Sequence, residues 1–108
     1  MRVKFIETTV FTARIREIMP DDEYFRLQDL LIQRPDVGVV IIGSGGIRKV
    51  RVRTFGRGKR GGARVIYFWA ASEDTILMLD VYAKSEREDI TAAQLKQMKR
   101  IVEEAFYE

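Results

Sequence analysis

Arg48, Lys49, Arg51, Arg53, Arg57, Lys59, Arg60 and Arg64 fall within seventeen consecutive positions, inside a stretch from Val37 to Ser72 that holds no Asp or Glu. Outside that stretch 11 basic residues stand against 16 acidic ones, so a formal charge of only +3 conceals a local cationic excess on a net −5 background. A localised positive field suits a polyphosphate ligand, and nucleic acid is the first expectation. RNA ranks ahead of DNA because it carries its own nucleophile, the 2′-hydroxyl beside each phosphate. A catalyst then needs only to deprotonate that hydroxyl, neutralise the phosphorane and protonate the leaving oxygen. Crowded Lys and Arg side chains can supply a base and electrostatic stabilisation.

The absences narrow the chemistry further. The chain has no Cys and no His, which removes a thiolate nucleophile, a Ser-His pair, the usual proton shuttle near neutral pH and an ordinary zinc site. Catalysis must rest on carboxylates, Tyr, Lys and Arg, with no metal and no cofactor expected. DNA cleavage by this set is harder than RNA cleavage, since neither metal ligands nor an internal nucleophile is evident.

The elements that must carry these residues can be read from periodicity. At 108 residues with 46% hydrophobic and 32% charged residues, the expectation is one globular domain over 1–108. No apolar run approaches the length of a membrane helix, and the N-terminal residues lack a signal-peptide core, so a cytoplasmic location without membrane partners is expected. Val3 to Ile6 reads as a strand with Val3 and Phe5 inward and Ile6 a further candidate for the inner face. Thr8 or Thr9 can cap a helix in which Phe11, Ile15 and Ile18 recur at helical spacing. Pro20 with Asp21, Asp22 and Glu23 starts a second helical stretch, striped by Tyr24, Leu27, Leu30 and Leu31 and ended by Pro35. Whether the two stretches form a hairpin or one kinked helix is open at this stage.

Val39 to Ile42 is a short apolar run before a Gly43-Ser44-Gly45-Gly46 turn. Three strand-like segments follow, Ile47 to Phe55, Ala63 to Ala70 and Thr75 to Lys84, joined by connectors short enough for antiparallel hairpins. The second and third are apolar on both faces, as central strands tend to be. Thr91 to Gln94 matches a capping box, and Leu95, Met98, Val102, Ala105 and Phe106 form a helical stripe. The order β-α-α-β-β-β-α predicts an α+β fold: a small, mostly antiparallel sheet with an N-terminal helix pair and a C-terminal helix packed on one side.

Alternation puts Lys49, Arg51 and Arg53 on one strand face and Val50 and Val52 on the other. Like charges on one face repel one another, and presentation to an anion accounts for keeping them, although a charged, soluble sheet face is the plainer alternative. Gly56, Gly58 and Gly61 fit G-x-G-x-x-G by letter only, because a strand follows where a dinucleotide site needs a helix. The Gly56–Gly62 segment is instead a basic hairpin tip, either solvated or contacting phosphate. Arg64 begins an apolar strand, and Tyr82 and Lys84 share a face near the end of the last strand. Singly, each has an ordinary structural explanation, and their convergence on one end of a cationic sheet marks a site.

Three blocks carry a family resemblance. Gly46-Ile47-Arg48-Lys49-Val50-Arg51, then the glycine-rich segment running into Ala63-Arg64-Val65-Ile66-Tyr67-Phe68, then Tyr82-Ala83-Lys84 through Asp89-Ile90-Thr91 closely resemble the HigB-like branch of the RelE/ParE toxin superfamily. The similarity spans nearly the whole chain, and the three blocks in this order make it specific. The resemblance implies a RelE-like fold and the toxin of a type II toxin–antitoxin system. Such a toxin is a ribosome-dependent, metal-independent mRNA endonuclease that cuts mRNA in the A site of the small ribosomal subunit. It also implies a cognate antitoxin, commonly a helix-turn-helix, HigA-like protein.

Carried over position by position, the resemblance places phosphate binding on Lys49, Arg51 and Arg64, with a lysine as candidate base. Tyr82 takes base stacking or proton transfer, and Lys84 takes phosphate or acid chemistry. Arg48, Arg53, Arg57, Lys59 and Arg60 are implied contacts to RNA or the ribosome. The chain departs from RelE proteins where they place an arginine after the last strand and a stacking tyrosine beyond it; those places fall on Ser85 and Thr91. Two other readings stay open, a ParE-like gyrase poison on the same fold and a non-catalytic RNA- or ribosome-binding module.

Overall fold

The structure, a computed structural model, describes residues 2–54 and 62–107. Arg57, Lys59, Arg60 and the G-x-G-x-x-G letters therefore lie outside the described residues. Among the described residues no helix is long and apolar enough to cross a membrane.

The sheet has five strands: β1 (Lys4–Glu7), β2 (Val39–Val40), β3 (Ile47–Val52), β4 (Ala63–Ala70) and β5 (Thr75–Ala83). Their spatial order is β1-β5-β4-β3-β2, with β1 parallel to β5 and every other pair antiparallel. Helices α1 (Thr9–Ile18), α2 (Asp21–Gln33) and α3 (Ala92–Phe106) complete the fold. Sequence reasoning identified these elements in order and missed one strand, β2. A two-residue strand carries no periodicity, and Val39 and Val40 qualify only by pairing with Lys49 and Arg48.

Local chemistry fixes the element ends. Thr8 caps α1, its side chain accepting from the Phe11 N–H. The open choice between hairpin and kink resolves into two helices, because Met19 and Pro20 are both extended. Thr91 and Gln94 form the reciprocal capping box that starts α3. At the Gly43–Gly46 turn, Ser44 Oγ accepts from the Ile47 N–H and donates to the Ile47 carbonyl, stitching the turn to the start of β3. β3 stops at Val52, short of the expected Phe55, and β5 stops at Ala83.

One expectation is corrected: the helices do not lie on one side of the sheet. Phe11, Ile15, Ile18, Leu27 and Leu31 from α1 and α2 pack with Val50, Val65, Tyr67, Met78 and Val81. Met98 and Val102 from α3 pack with Ile47, Ile66, Phe68, Leu77 and Tyr82. These two sets alternate along β4, so they lie on opposite faces. The physical reason was already present in β4 and β5, which are apolar at consecutive positions. A strand with two apolar faces needs cover on both, and α3 supplies the second layer.

Candidate active site

Three strands bring the site together through their register. Arg51 pairs with Arg64 across β3 and β4, and Arg64 pairs with Tyr82 across β4 and β5, so the three residues form one rung across the sheet. Directly opposed side chains in such a rung have Cβ atoms about 5 Å apart. Their common face is the one covered further along by α3. Tyr82 reaches it because of a bulge: Ile66 pairs with Asp80 while Tyr67 pairs with Met78, leaving Leu79 as an extra residue in β5. Before the bulge Leu77 faces α3, and after it Tyr82 does, five residues on instead of an even number.

Arg64 is buried, with 8% exposure, and its Nη1 donates to the Ala63 carbonyl at 3.4 Å. Arg51 and Arg53 are exposed. Lys49 Nζ lies 3.3 Å from Asp89 Oδ1. The same oxygen accepts from the Tyr82 hydroxyl at 3.4 Å and from the Ile90 N–H at 2.8 Å. Asp89 thus ties the β3 cation to the β5 phenol from a connector forty residues away from Lys49 in sequence.

The electrostatics of that junction follow from burial and charge. Tyr82 is fully buried, and desolvation, then the Asp89 charge and hydrogen bond, push its phenol up to about 12, against the opposing pull of Arg64 and Arg87. It therefore stays protonated near neutral pH and is a donor. For Asp89, partial desolvation acts to raise the carboxyl. The Ile90 N–H, Lys49 and Tyr82 outweigh it and hold the carboxyl below its usual range.

The connector between β5 and α3 folds back on the sheet, with the Glu86 and Arg87 N–H groups donating to the Ala83 carbonyl. Arg87 places its guanidinium over the Tyr82 ring, 4.8 Å from the centroid, and donates to Asp80 Oδ2 at 3.2 Å. Lys84 is exposed just beyond β5, its N–H donating to the Gly62 carbonyl. Gly62 has φ +72°, and a Cβ there would meet the Val52 carbonyl oxygen at 2.4 Å. Only glycine lets β3, β4 and the end of β5 close together at this point.

Residues 39–107 match the sequence family described as the RelE toxin of the RelE/RelB toxin–antitoxin system. The chain belongs to the RelE toxin family. Solved RelE structures share its fold. A free double-arginine mutant of E. coli RelE superposes with a TM-score of 0.59 at 11% identity, covering 94% of this chain and 98% of that one. The isolated E. coli RelE toxin gives 0.56 at 12% identity over 93% and 99% of the two chains. A chain of the intact E. coli RelBE toxin–antitoxin complex gives 0.56 at 11% identity over 76% and 96%. At these identities the likeness concerns the fold.

Within this RelE-family fold the candidate residues separate. Lys49, Arg51, Arg64 and Tyr82 converge, and Lys84 stands at the same end of the sheet. Arg48 does not join them. Alternation turns it to the opposite face, where its Nη1 donates to the Asp36 and Gly38 carbonyls at 3.1 and 2.8 Å. It anchors the loop before β2. The Tyr82 ring is buried and overlaid by Arg87, which leaves the hydroxyl as the end that meets Asp89.

Sequence reasoning assigned no role to Asp80, Arg87 or Asp89. Asp80 carried a usable signal: a lone acid inside the apolar run Thr75–Ala83 must find a cation. Asp89 carried none, since an acid in a charged connector is ordinary and its partners are distant in sequence.

Proposed function

We propose that this RelE-family protein is a ribosome-dependent mRNA endonuclease that cuts within the A-site codon and inhibits translation. The Arg51–Arg64–Tyr82 rung, with Lys49 and Asp89 closing one end, is the observation that carries this reading. Arg51 and Arg64 bind the scissile phosphate and stabilise the charge that grows as the RNA 2′-hydroxyl attacks. Lys49 is a third cation for that phosphate, held by Asp89 until the substrate's own anion competes for it. Lys84 or Lys49 serves the proton removed from the 2′-hydroxyl, and Tyr82, protonated at neutral pH, is the donor for the leaving 5′-oxygen. The phenol lies beneath the Lys49–Asp89 pair, so that exposed pair must open for Tyr82 to reach RNA.

The ribosome supplies what the protein lacks. In-line attack requires the 2′-oxygen, phosphorus and leaving oxygen to be aligned, and a message held in the A site is aligned where free RNA is not. Arg53, and Arg57, Lys59 and Arg60 of the basic segment, add contacts to ribosomal RNA. A cognate antitoxin protein is the second partner, as RelB is for RelE in the intact E. coli complex.

The deciding experiment adds purified protein to ribosomes stalled on a defined message with an empty A site and maps the cut ends by primer extension. Cleavage inside the A-site codon, absent without ribosomes and lost in Arg64→Ala, supports the nuclease. An intact message on ribosomes that demonstrably bind the protein replaces it with a binding module, and neither cleavage nor binding directs attention to gyrase.

A further inference from the structure

Asp80 is a carboxylate with 4% exposure in the middle of β5, and two arginines reach it. Arg14 of α1 lies 3.6 Å from Oδ1, with its Nε also donating to the Val81 carbonyl at 2.7 Å. Arg87 donates to Oδ2 at 3.2 Å, and Oδ1 accepts the Val81 N–H at 2.8 Å. One cation balances one buried acid, and Arg14 is itself fixed by the fold of α1 on β5. The second cation comes from the 84–90 connector, and neutralising Asp80 does not require it. What Arg87 adds is contact with Tyr82: the guanidinium anchored on Asp80 also covers the Tyr82 ring. A planar guanidinium can do both at once, donating in its plane and stacking through its face.

We propose that Arg87, anchored on Asp80, is a positioning residue: it clamps the Tyr82 ring so that the phenol hydroxyl stays aimed at the Lys49–Asp89 junction. It acts through Tyr82 and not on RNA. Its side chain is largely withdrawn, about one-quarter exposed. Arg87 also fixes the connector that carries Asp89, two residues further on, so one clamp sets both ends of the Tyr82–Asp89 hydrogen bond. Lysine at this position keeps the charge and loses the stacked plane.

The catalytic part of this inference rests on the nuclease reading, and its structural part does not. The test compares wild type, Arg87→Lys and Arg87→Gln, with and without Tyr82→Phe. It reads A-site cleavage turnover, ribosome affinity and melting temperature, together with nitration of Tyr82 by tetranitromethane in the isolated protein, mapped by mass spectrometry. The expected result is a roughly ten- to hundredfold loss of turnover in Arg87→Lys with ribosome affinity unchanged. In the Tyr82→Phe background the same change adds no further loss. Tyr82 nitration rises in both Arg87 variants at unchanged melting temperature. Losses that add in the double variant, or nitration that stays at the wild-type rate, overturn the clamp. If wild type does not cut mRNA the nuclease reading fails, and the nitration comparison still decides the clamp.

Discussion

Arg51 and Arg64 stand directly opposite each other on neighbouring strands, two guanidinium-bearing residues on one rung of the β3–β4 ladder. Like charges in that relationship are destabilising by a few tenths of a kcal/mol to about 1 kcal/mol. A fold selected only for stability has no use for it, whereas a phosphate placed between two such groups turns repulsion into joint attraction.

Arg51→Gln separates stability from function. Arg51 is exposed, so its removal relieves the repulsion without leaving a buried gap. The melting temperature is expected to stay level or rise slightly, while A-site cleavage falls about a hundredfold, the usual scale for losing one group that stabilises a developing oxyanion. Calorimetry beside single-turnover cleavage checks it; a drop in stability matching the drop in activity refutes the separation.

The Lys49–Asp89 pair is expected to contribute little to folding. Asp89 is more than half exposed, so solvent screening limits the pair to at most about 1 kcal/mol. Its coupling in a double-mutant cycle with Lys49→Met and Asp89→Asn should therefore be small and should shrink further in high salt. Chemical denaturation in low and high salt measures this directly. A large, salt-insensitive coupling means the pair is more buried than its geometry indicates.

Tyr82 makes a pH prediction whose sign is fixed. Its phenol ionises at about 12 in the folded protein and near the usual 10 when unfolded. Between those values the unfolded chain has released the proton and the folded chain has not, so stability falls as pH rises through this window. The contribution is complete below pH 10. Tyr82→Phe lacks this group, so the stability gap between the two proteins should be flat below about pH 10 and shift against wild type above it. Denaturation series at several alkaline pH values give the curve, and parallel curves throughout would show the phenol to be unperturbed.

Gly62→Ala should damage both stability and activity. The added Cβ meets a backbone oxygen at 2.4 Å, and φ +72° disfavours any side chain. A cost of roughly 1–3 kcal/mol is expected from the backbone alone. The strand end carrying Arg64 must shift to relieve the contact. A thermal melt and the cleavage assay report the two effects; an unchanged melt shows that the β3–β4 junction yields freely.

The parts of this fold that were legible in the sequence are those specified locally. Ala63–Ala70 was bounded correctly because turn residues flank an unbroken apolar run, and α3 announced itself through Thr91, Gln94 and its stripe. The cations of β3 sorted themselves by alternation alone, with Lys49 and Arg51 on the face of Arg64 and Tyr82. Long-range geometry was not legible in the same way. Arg48 belongs to the cationic run by position and to a loop anchor by its face. Asp89 meets Lys49 only because a connector folds back over the end of the sheet. Two-sided packing was implied by the apolar character of β4 and β5, and only the position of α3 made it visible.

Leu79 divides β5 into two lengths of strand that answer to different neighbours. Thr75–Met78 is held by β1 on one edge and β4 on the other, and its facing pattern is fixed there. Asp80–Ala83 takes the opposite parity. Were Leu79 paired in the ladder instead of bulged out of it, the first length would keep its facing and the second would invert. Tyr82 and Asp80 would turn toward the α1 layer, and Val81 and Ala83 toward the cations. One residue left out of the pairing, with no chemistry of its own, decides whether the phenol and the arginines meet at all.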